Sequence, residues 1–551
     1  MIAQFQRTFS QAVERGASRL GNARVLLVLA AFILFAAINF GARAWDTFHP
    51  VVPNDGLTVW YAQYARNLLR YPLSETFGLM VNLVGDPAGS PMSGEPLTFY
   101  SDHPPGIVWL IATVNRLAVG DAIVAARVMS ILAAIGAGGA MLAFIWRHAS
   151  VLPAACASLV LLTLPLYWEH SIVANFEPAT LFFTVTAALS FVGYLKRPSV
   201  GRLALTAVLW ISGMLCDWPA YLLGGPMAVA LAWRRRWGLL LFFAALGIGT
   251  MAAVFGQLNL QPGGFSPLGF FRGTRSALQT EPFGGSLYRA FGYVVRGFAT
   301  WCLLLALPFA AMVWRGGTSG PMRELRFLFL AFLFIGVTND VIFYSWSGEH
   351  SFWSYYLTPA ACFGAALTFQ WLIETPFGSA AKTFQVLIAA LFLVGTVSSA
   401  VRTARLIRPH FARPPSVAEM LGERHLADLL DPGSTLVVGP YCGRGQSDGA
   451  TRWPDDMPSC GIFLGQGQKA RYWIDKAALA SSGFDPARMT CDKTFIVLKG
   501  ANVPKMLARL GLTATEVPWF EWFVLRLSEL PSSYCEKPAL VFDELGRLQS
   551  P

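Results

Sequence analysis

Apolar residues along this chain come in long unbroken blocks rather than in alternation. The first, "VLLVLAAFILFAAINFGA" over 25–42, nears the roughly 20 residues a helix needs to cross a hydrocarbon layer. Comparable blocks follow at about 121–146, 150–168, 177–195, 203–217, 219–233, 237–256, 291–314, 326–345, 355–373 and 383–401. The pattern predicts eleven spans. After the proline-rich "RPHFARPP" it changes: short β-rich runs ("STLVVG", "TFIVLKG", "WFVLRL") alternate with helical stretches ("MLGERHLADLL", "VPKMLARLG"), the pattern of a small α/β domain. The fold class expected is an α-helical polytopic membrane protein with a C-terminal soluble α/β domain. It divides into a membrane domain, 1–401, carrying a large first loop at 43–120, and a tail, 402–551.

That first loop is long for a connection between spans, and long loops tend to be functional. In "NDGLTVWYAQYARNLLR", Leu57, Tyr61, Tyr64 and Leu68 recur at helical spacing, with Asn54 or Asp55 placed as N-cap. A Gly/Pro-rich stretch, "GDPAGSPMSGEP", leads on to "FYSDHPPGIVWLIATVNRL". Pro104 and Pro105 suit a helix start and forbid a helix interior, so Asp102 and His103 stand at a helix opening. With Asn115 and Arg116 on its polar side, the helix over 104–119 reads as amphipathic and interfacial, not crossing.

Charge supports that reading. Of 551 residues, 54% are hydrophobic and 13% charged, well under the roughly 25% charged of a soluble domain; mean hydropathy is +0.48. Arg7, Arg15, Arg19 and Arg24 precede the first span and place the N-terminus in the cytoplasm. With 104–119 in the interface, Arg147, Lys196-Arg197, Arg234-Arg235-Arg236, Arg315 with Arg323 and Arg326, and Lys382 all fall on that same side. Were the segment to cross, the pattern would invert. Residues beyond 402 are then extracytoplasmic, where Cys442, Cys460, Cys491 and Cys535 suit one or two disulfides. Cys156, Cys216, Cys302 and Cys362 fall in spans as small hydrophobes. The net charge of +10 reflects the cytoplasmic loops. No basic stripe with interleaved aromatics, Walker loop or dinucleotide fingerprint appears, so no nucleic-acid partner is expected.

Ionisable residues gather near the outer ends of the spans: Asp55, Asp102, His103, Arg127, His170, Glu177, Asp217 and His350. Charge at such depth is costly and is seldom kept without a role. Each also has an ordinary reading: Asp55 as a helix cap, Arg127 as a snorkelling side chain, Asp217 as a helix signal before Pro219. Their coincidence on one face favours chemistry. Without an ATP motif outside, a transferred group must arrive activated, as a glycosyl phosphate on a polyprenyl lipid does. Transfer through an oxocarbenium-like state needs a carboxylate to accept the acceptor's proton and cations for the leaving phosphate. Asp55 suits the first role; His103 and Arg127 suit the phosphate. Asp102, His350 and Asp217 are further candidates. Glu177 with Asp55 could hold a divalent cation through oxygen ligands, the one cofactor considered.

An acid after the first span, a Y-x-x-HPP helix in the first outer loop, an "AAR" start to the next span and N-x-E-P opening the fourth together resemble the GT-C membrane glycosyltransferases, specifically the group of protein O-mannosyltransferases and lipid A aminoarabinose transferases. The resemblance covers roughly 20–400. It implies a polyprenyl-phosphate sugar donor used at the outer face of a bacterial inner membrane, Asp55 as principal catalytic acid residue and Glu177 as the second acidic position. A glycolipid, envelope glycan or protein would be the acceptor. The chain departs from the pattern in having one acid, not a pair, after the first span, and "CDWPAY" where relatives often carry a lysine. A lipid-linked sugar transporter is the alternative, though it calls for charges near the midplane. A non-catalytic scaffold would leave the outer cluster unexplained.

Overall fold

The structure, a computed structural model, describes residues 22–38, 56–81, 99–100, 103–119, 122–171, 173–261, 283–298, 320–343, 351–374 and 379–412, and in the tail 435–438, 469–470, 494–499, 503–517 and 522–533. Helix α1 (Asn22–Ile38) is followed by α2 (Gly56–Arg70), α3 (Leu73–Thr76) and the strands β1 (Met80–Val81) and β2 (Phe99–Tyr100). Then come α4 (Gly106–Val114), α5 (Ala122–His148), α6 (Val151–Thr163), α7 (Pro165–His170), α8 (Phe176–Lys196), α9 (Val200–Cys216), α10 (Gly224–Trp233) and α11 (Trp237–Leu258). The helices α12 (Phe283–Phe298), α13 (Gly320–Ile342), α14 (Thr358–Glu374) and α15 (Ser379–Ala412) complete the set before the tail.

Among the described residues, six helical segments are long and apolar enough to cross a membrane: Val124–His148, Phe176–Lys196, Trp237–Leu258, Met322–Ile342, Phe352–Ile373 and Val386–Arg405. The chain is a multi-pass membrane protein. The blocks at 25–42, 150–168, 203–217 and 219–233 give shorter helices, with proline the reason for one interruption, and residues 299–314 of the block at 291–314 lie outside the described residues. The block at 150–168 breaks at Leu164, held extended (ψ 108°), because Pro165 disfavours helix in the residue before it. The blocks at 203–217 and 219–233 part at Asp217, whose backbone is extended (φ −164°, ψ 159°), followed by a 3-10 turn over Trp218–Leu223. The prolines at 104 and 105 precede Gly106, the first residue of α4, and α4 ends in a π-helical turn over Asn115–Val119.

The chain forms two compact units. One comprises 1–43, 101–107 and 127–411; the other 44–100, 108–126 and 412–551. In the first, α8 packs along α9, and α14 against α6 and α13. Lipid tails are as apolar as leucine, so small residues and interhelical hydrogen bonds do much of the joining. Thr206 on α9 donates to Ser190 Oγ on α8 at 2.9 Å, a link worth about 0.6 kcal/mol in such a setting. Cys156, Cys216 and Cys362 are buried free thiols; the other cysteines lie outside the described residues.

The loops expected on one side of the membrane meet. Glu324 Oε1 pairs with Lys196 Nζ at 3.1 Å, and its Oε2 with His148 Nε2 at 3.1 Å. Arg234 Nη1 donates to the Leu195 carbonyl at 3.0 Å. The ends of α5, α8 and α10 and the start of α13 therefore share one end of the bundle.

In the second unit, β1 and β2 pair antiparallel, Met80 opposite Tyr100. Asn67 Nδ2 donates to the Val81 carbonyl at 3.0 Å and Trp109 Nε1 to the Gly78 carbonyl at 2.7 Å. The tail carries β3 (Thr435–Val438), β4 (Lys469–Ala470), β5 (Thr494–Lys499), β6 (Thr515–Val517) and β7 (Trp522–Arg526). They form one sheet in the order β4-β3-β5-β7-β6. β3 is parallel to β4 and β5, and β7 antiparallel to β5 and β6.

Candidate active site

The break after α9 builds the centre of the site. Asp217 caps the 3-10 turn, its Oδ1 accepting from the Trp218 backbone N–H at 2.8 Å. The same oxygen lies 2.7 Å from His103 Nδ1, and Oδ2 accepts from the Tyr356 hydroxyl at 2.9 Å. Helix cap and site residue are thus one carboxylate, and it is fully buried. A carboxylate only accepts, so Nδ1 is the protonated nitrogen and Nε2 the one turned to other partners.

Glycine makes the approach. At Gly106, three residues after His103, a Cβ would overlap the backbone carbonyl of Leu215, two residues before Asp217. Only a residue without a side chain lets the start of α4 sit against the end of α9. Phe176, the first residue of α8, then stacks on His103 with ring centroids 3.9 Å apart at 25°. Trp353 lies 6.3 Å from the same imidazole, its carbonyl accepting from Asn339 Nδ2 at 3.1 Å. Ser354 donates to Asp340 Oδ2 at 3.2 Å.

Glu177 follows Phe176. Asn175 caps α8 by accepting from the Phe176 N–H at 3.0 Å, which turns the second helical residue inward; Glu177 is 1% exposed. Neither of its carboxylate oxygens, nor the Asn175 Nδ2, has a hydrogen-bond partner among the described residues. Asp217, Tyr355 and Tyr356 lie within electrostatic reach of it. A buried charge without a partner is strongly disfavoured.

The structure brings His103, Asp217 and Glu177 together around Phe176 and Tyr356. Arg127 is buried in the first turns of α5. Asp55, Asp102 and His350 lie outside the described residues. His170, edge-on to Tyr355 at 6.2 Å, has its imidazole pushed down to about 4 by burial, so it is neutral at pH 7 and no phosphate-binding cation. Sequence reading missed Tyr356, Trp353, Asn339 and Asp340. The one visible signal was "TND", a polar trio at the end of an apolar span. Among the described residues, no three His, Cys, Asp or Glu side chains converge to hold a metal.

The cluster sits at the N-terminal end of α8, and Lys196, at the basic end of the bundle, closes that helix. At 1.5 Å per residue the two ends are about 29 Å apart, close to the thickness of a hydrocarbon core.

No protein-family profile matches the sequence, and no curated protein matches it. Solved structures do. ArnT from Cupriavidus metallidurans bound to undecaprenyl phosphate is similar at a TM-score of 0.56 and 16% identity, over 91% of this chain and 97% of that one. ArnT and AglB, described next, are both GT-C glycosyltransferases. The chain has the GT-C fold. AglB from Archaeoglobus fulgidus, an archaeal oligosaccharyltransferase in complex with an inhibitory peptide and a dolichol-phosphate, matches at a TM-score of 0.51 and 14% identity, over 86% of this chain and 69% of that one. The GT-C fold accounts for the helical bundle; the chemistry must be argued from this chain's own residues.

Proposed function

We propose that this protein is a glycosyltransferase that moves one sugar from a polyprenyl phosphate to an acceptor at the outer face of a bacterial inner membrane. The observation that carries the reading is the buried His103–Asp217–Tyr356 network beside the unpartnered carboxylate of Glu177, at the end of the bundle opposite the basic loops. The positive-inside rule assigns those loops to the cytoplasm, which turns the cluster outward. The GT-C neighbours that hold undecaprenyl phosphate and dolichol-phosphate support a lipid-linked donor.

In this reading the acceptor hydroxyl attacks the anomeric carbon while the bond from that carbon to the phosphate oxygen breaks, the electron pair leaving with the phosphate. Asp55 takes the hydroxyl proton. His103, its ring fixed by Asp217 and Phe176, presents Nε2 to the phosphate, and Arg127 supplies positive charge. Glu177 meets the donor sugar or its developing positive charge, and Asp102 and His350 belong to the rim. Eleven spans and an extracytoplasmic tail with a disulfide or two complete the picture; a glycolipid or envelope glycan is the favoured acceptor, with protein the alternative. Mass spectrometry of envelope lipids and glycans from a deletion strain tests it. One species should lack a single sugar residue and regain it on complementation with the wild-type gene. Unchanged glycolipids, glycans and glycoproteins would refute it.

A further inference from the structure

The far end of the bundle carries a feature that the transfer reaction does not use. Helix α10 ends in "AWRRRW", and the turn is fully hydrogen-bonded: Arg236 N–H reaches the Leu231 carbonyl at 2.9 Å and Arg235 N–H the Ala232 carbonyl at 2.9 Å. This is the Schellman arrangement, whose left-handed residue is ordinarily glycine. Here it is Arg235, with φ 54°. A strained residue where glycine would serve better points to a use for its side chain.

The surroundings say which use. Trp233 and Trp237, flanking the arginines, are 88% and 58% exposed, as aromatic residues are at a membrane–water boundary. Arg236 and Arg323 are close enough to Arg234 that, after burial, they lower its proton affinity. The one carboxylate at hand, Glu324, has both oxygens engaged by Lys196 and His148. Among the described residues, no carboxylate pairs with Arg235, Arg236 or Arg323. The turn therefore offers several unneutralised guanidinium groups, which match phosphate geometry, between two exposed indoles at headgroup depth.

We propose that the α10–α11 turn, with Arg323 from α13, binds the phosphate headgroup of an anionic phospholipid in the leaflet that meets this end of the bundle. Basic clusters against a membrane surface attract anionic lipid by about fivefold per side chain. The site stands or falls independently of the glycosyltransferase reading.

Titrating the purified full-length protein in detergent with phosphatidylglycerol, or with phosphatidylcholine of the same acyl chains, and reading bound lipid by native mass spectrometry tests it. Wild type should favour phosphatidylglycerol about 25-fold or more, two arginines' worth or beyond. Arg235→Gly, which relieves the left-handed strain and so folds at least as well, should cut that affinity about fivefold and leave phosphatidylcholine unchanged. Arg235→Gly with Arg236→Gln should cut that affinity about 25-fold. Inorganic phosphate, lacking acyl chains and indole contact, should displace the lipid only in large excess. Equal binding of the two lipids, an Arg235→Gly protein that binds phosphatidylglycerol as wild type does, or displacement by equimolar phosphate would each overturn the proposal.

Discussion

His103 Nδ1 and Asp217 Oδ1 stand 2.7 Å apart across 114 residues of sequence. The pair joins the helix opened by two prolines to a break between two helices of the bundle, and it fixes which imidazole nitrogen carries the proton shared with the carboxylate. Asp217→Asn keeps the shape and the bond to Trp218 N–H but lets the imidazole turn and change tautomer. It should lower kcat/KM for sugar transfer about 10- to 100-fold in a protein that still elutes as wild type from a sizing column. Asp217→Ala, which strands buried partners, should unfold more easily by about 3–5 kcal/mol.

Gly106 is the hinge of that geometry. Gly106→Ala should push α4 away from the Leu215 carbonyl, costing about 1–3 kcal/mol and displacing His103. Both a lower Tm and a loss of transfer are expected. Ala→Gly changes elsewhere on α4 should leave transfer intact.

Glu177 is retained against its burial. Glu177→Gln removes the charge with little change of volume, so Tm should hold or rise while transfer falls by about 100-fold or more. A large drop in Tm with unchanged transfer would make Glu177 a structural residue.

His170 sets a pH limit on stability. Its imidazole, with a usual value of 6.5, is pushed down to about 4 in the folded protein. Between those values the unfolded chain binds a proton that the folded one refuses, so stability falls on acidification through that window. Thermal unfolding followed from pH 7 to pH 4 should show the decline, and His170→Gln should flatten it.

Apolar block length located the six helices long enough to cross, because a bilayer imposes a length and an apolar composition on every crossing helix. The start of α4 was legible because proline restricts backbone in ways that neighbours cannot override. The tail strands at Thr435, Thr494 and Trp522 were legible from β-branched and aromatic runs. Tyr356 was not: it reaches Asp217 from 139 residues away, and it falls in the apolar block at 355–373. Glu324 was not singled out, since nothing local shows that it receives Lys196 from α8 and His148 from α5. Asp217 was visible as a helix signal before Pro219, but its double duty depends on the close approach at Gly106, which is a packing fact.

The central claim is catalytic, and Asp55 puts it to the sharpest test. Purified wild-type and Asp55→Asn proteins would be given a radiolabelled polyprenyl-phosphate sugar and an envelope extract, with donor binding and release of free polyprenyl phosphate followed side by side. The account predicts that both bind the donor equally and that only wild type moves the sugar to an acceptor. An Asp55→Asn protein that transfers as fast as wild type, or a wild type that binds the lipid and never cleaves it, would contradict it.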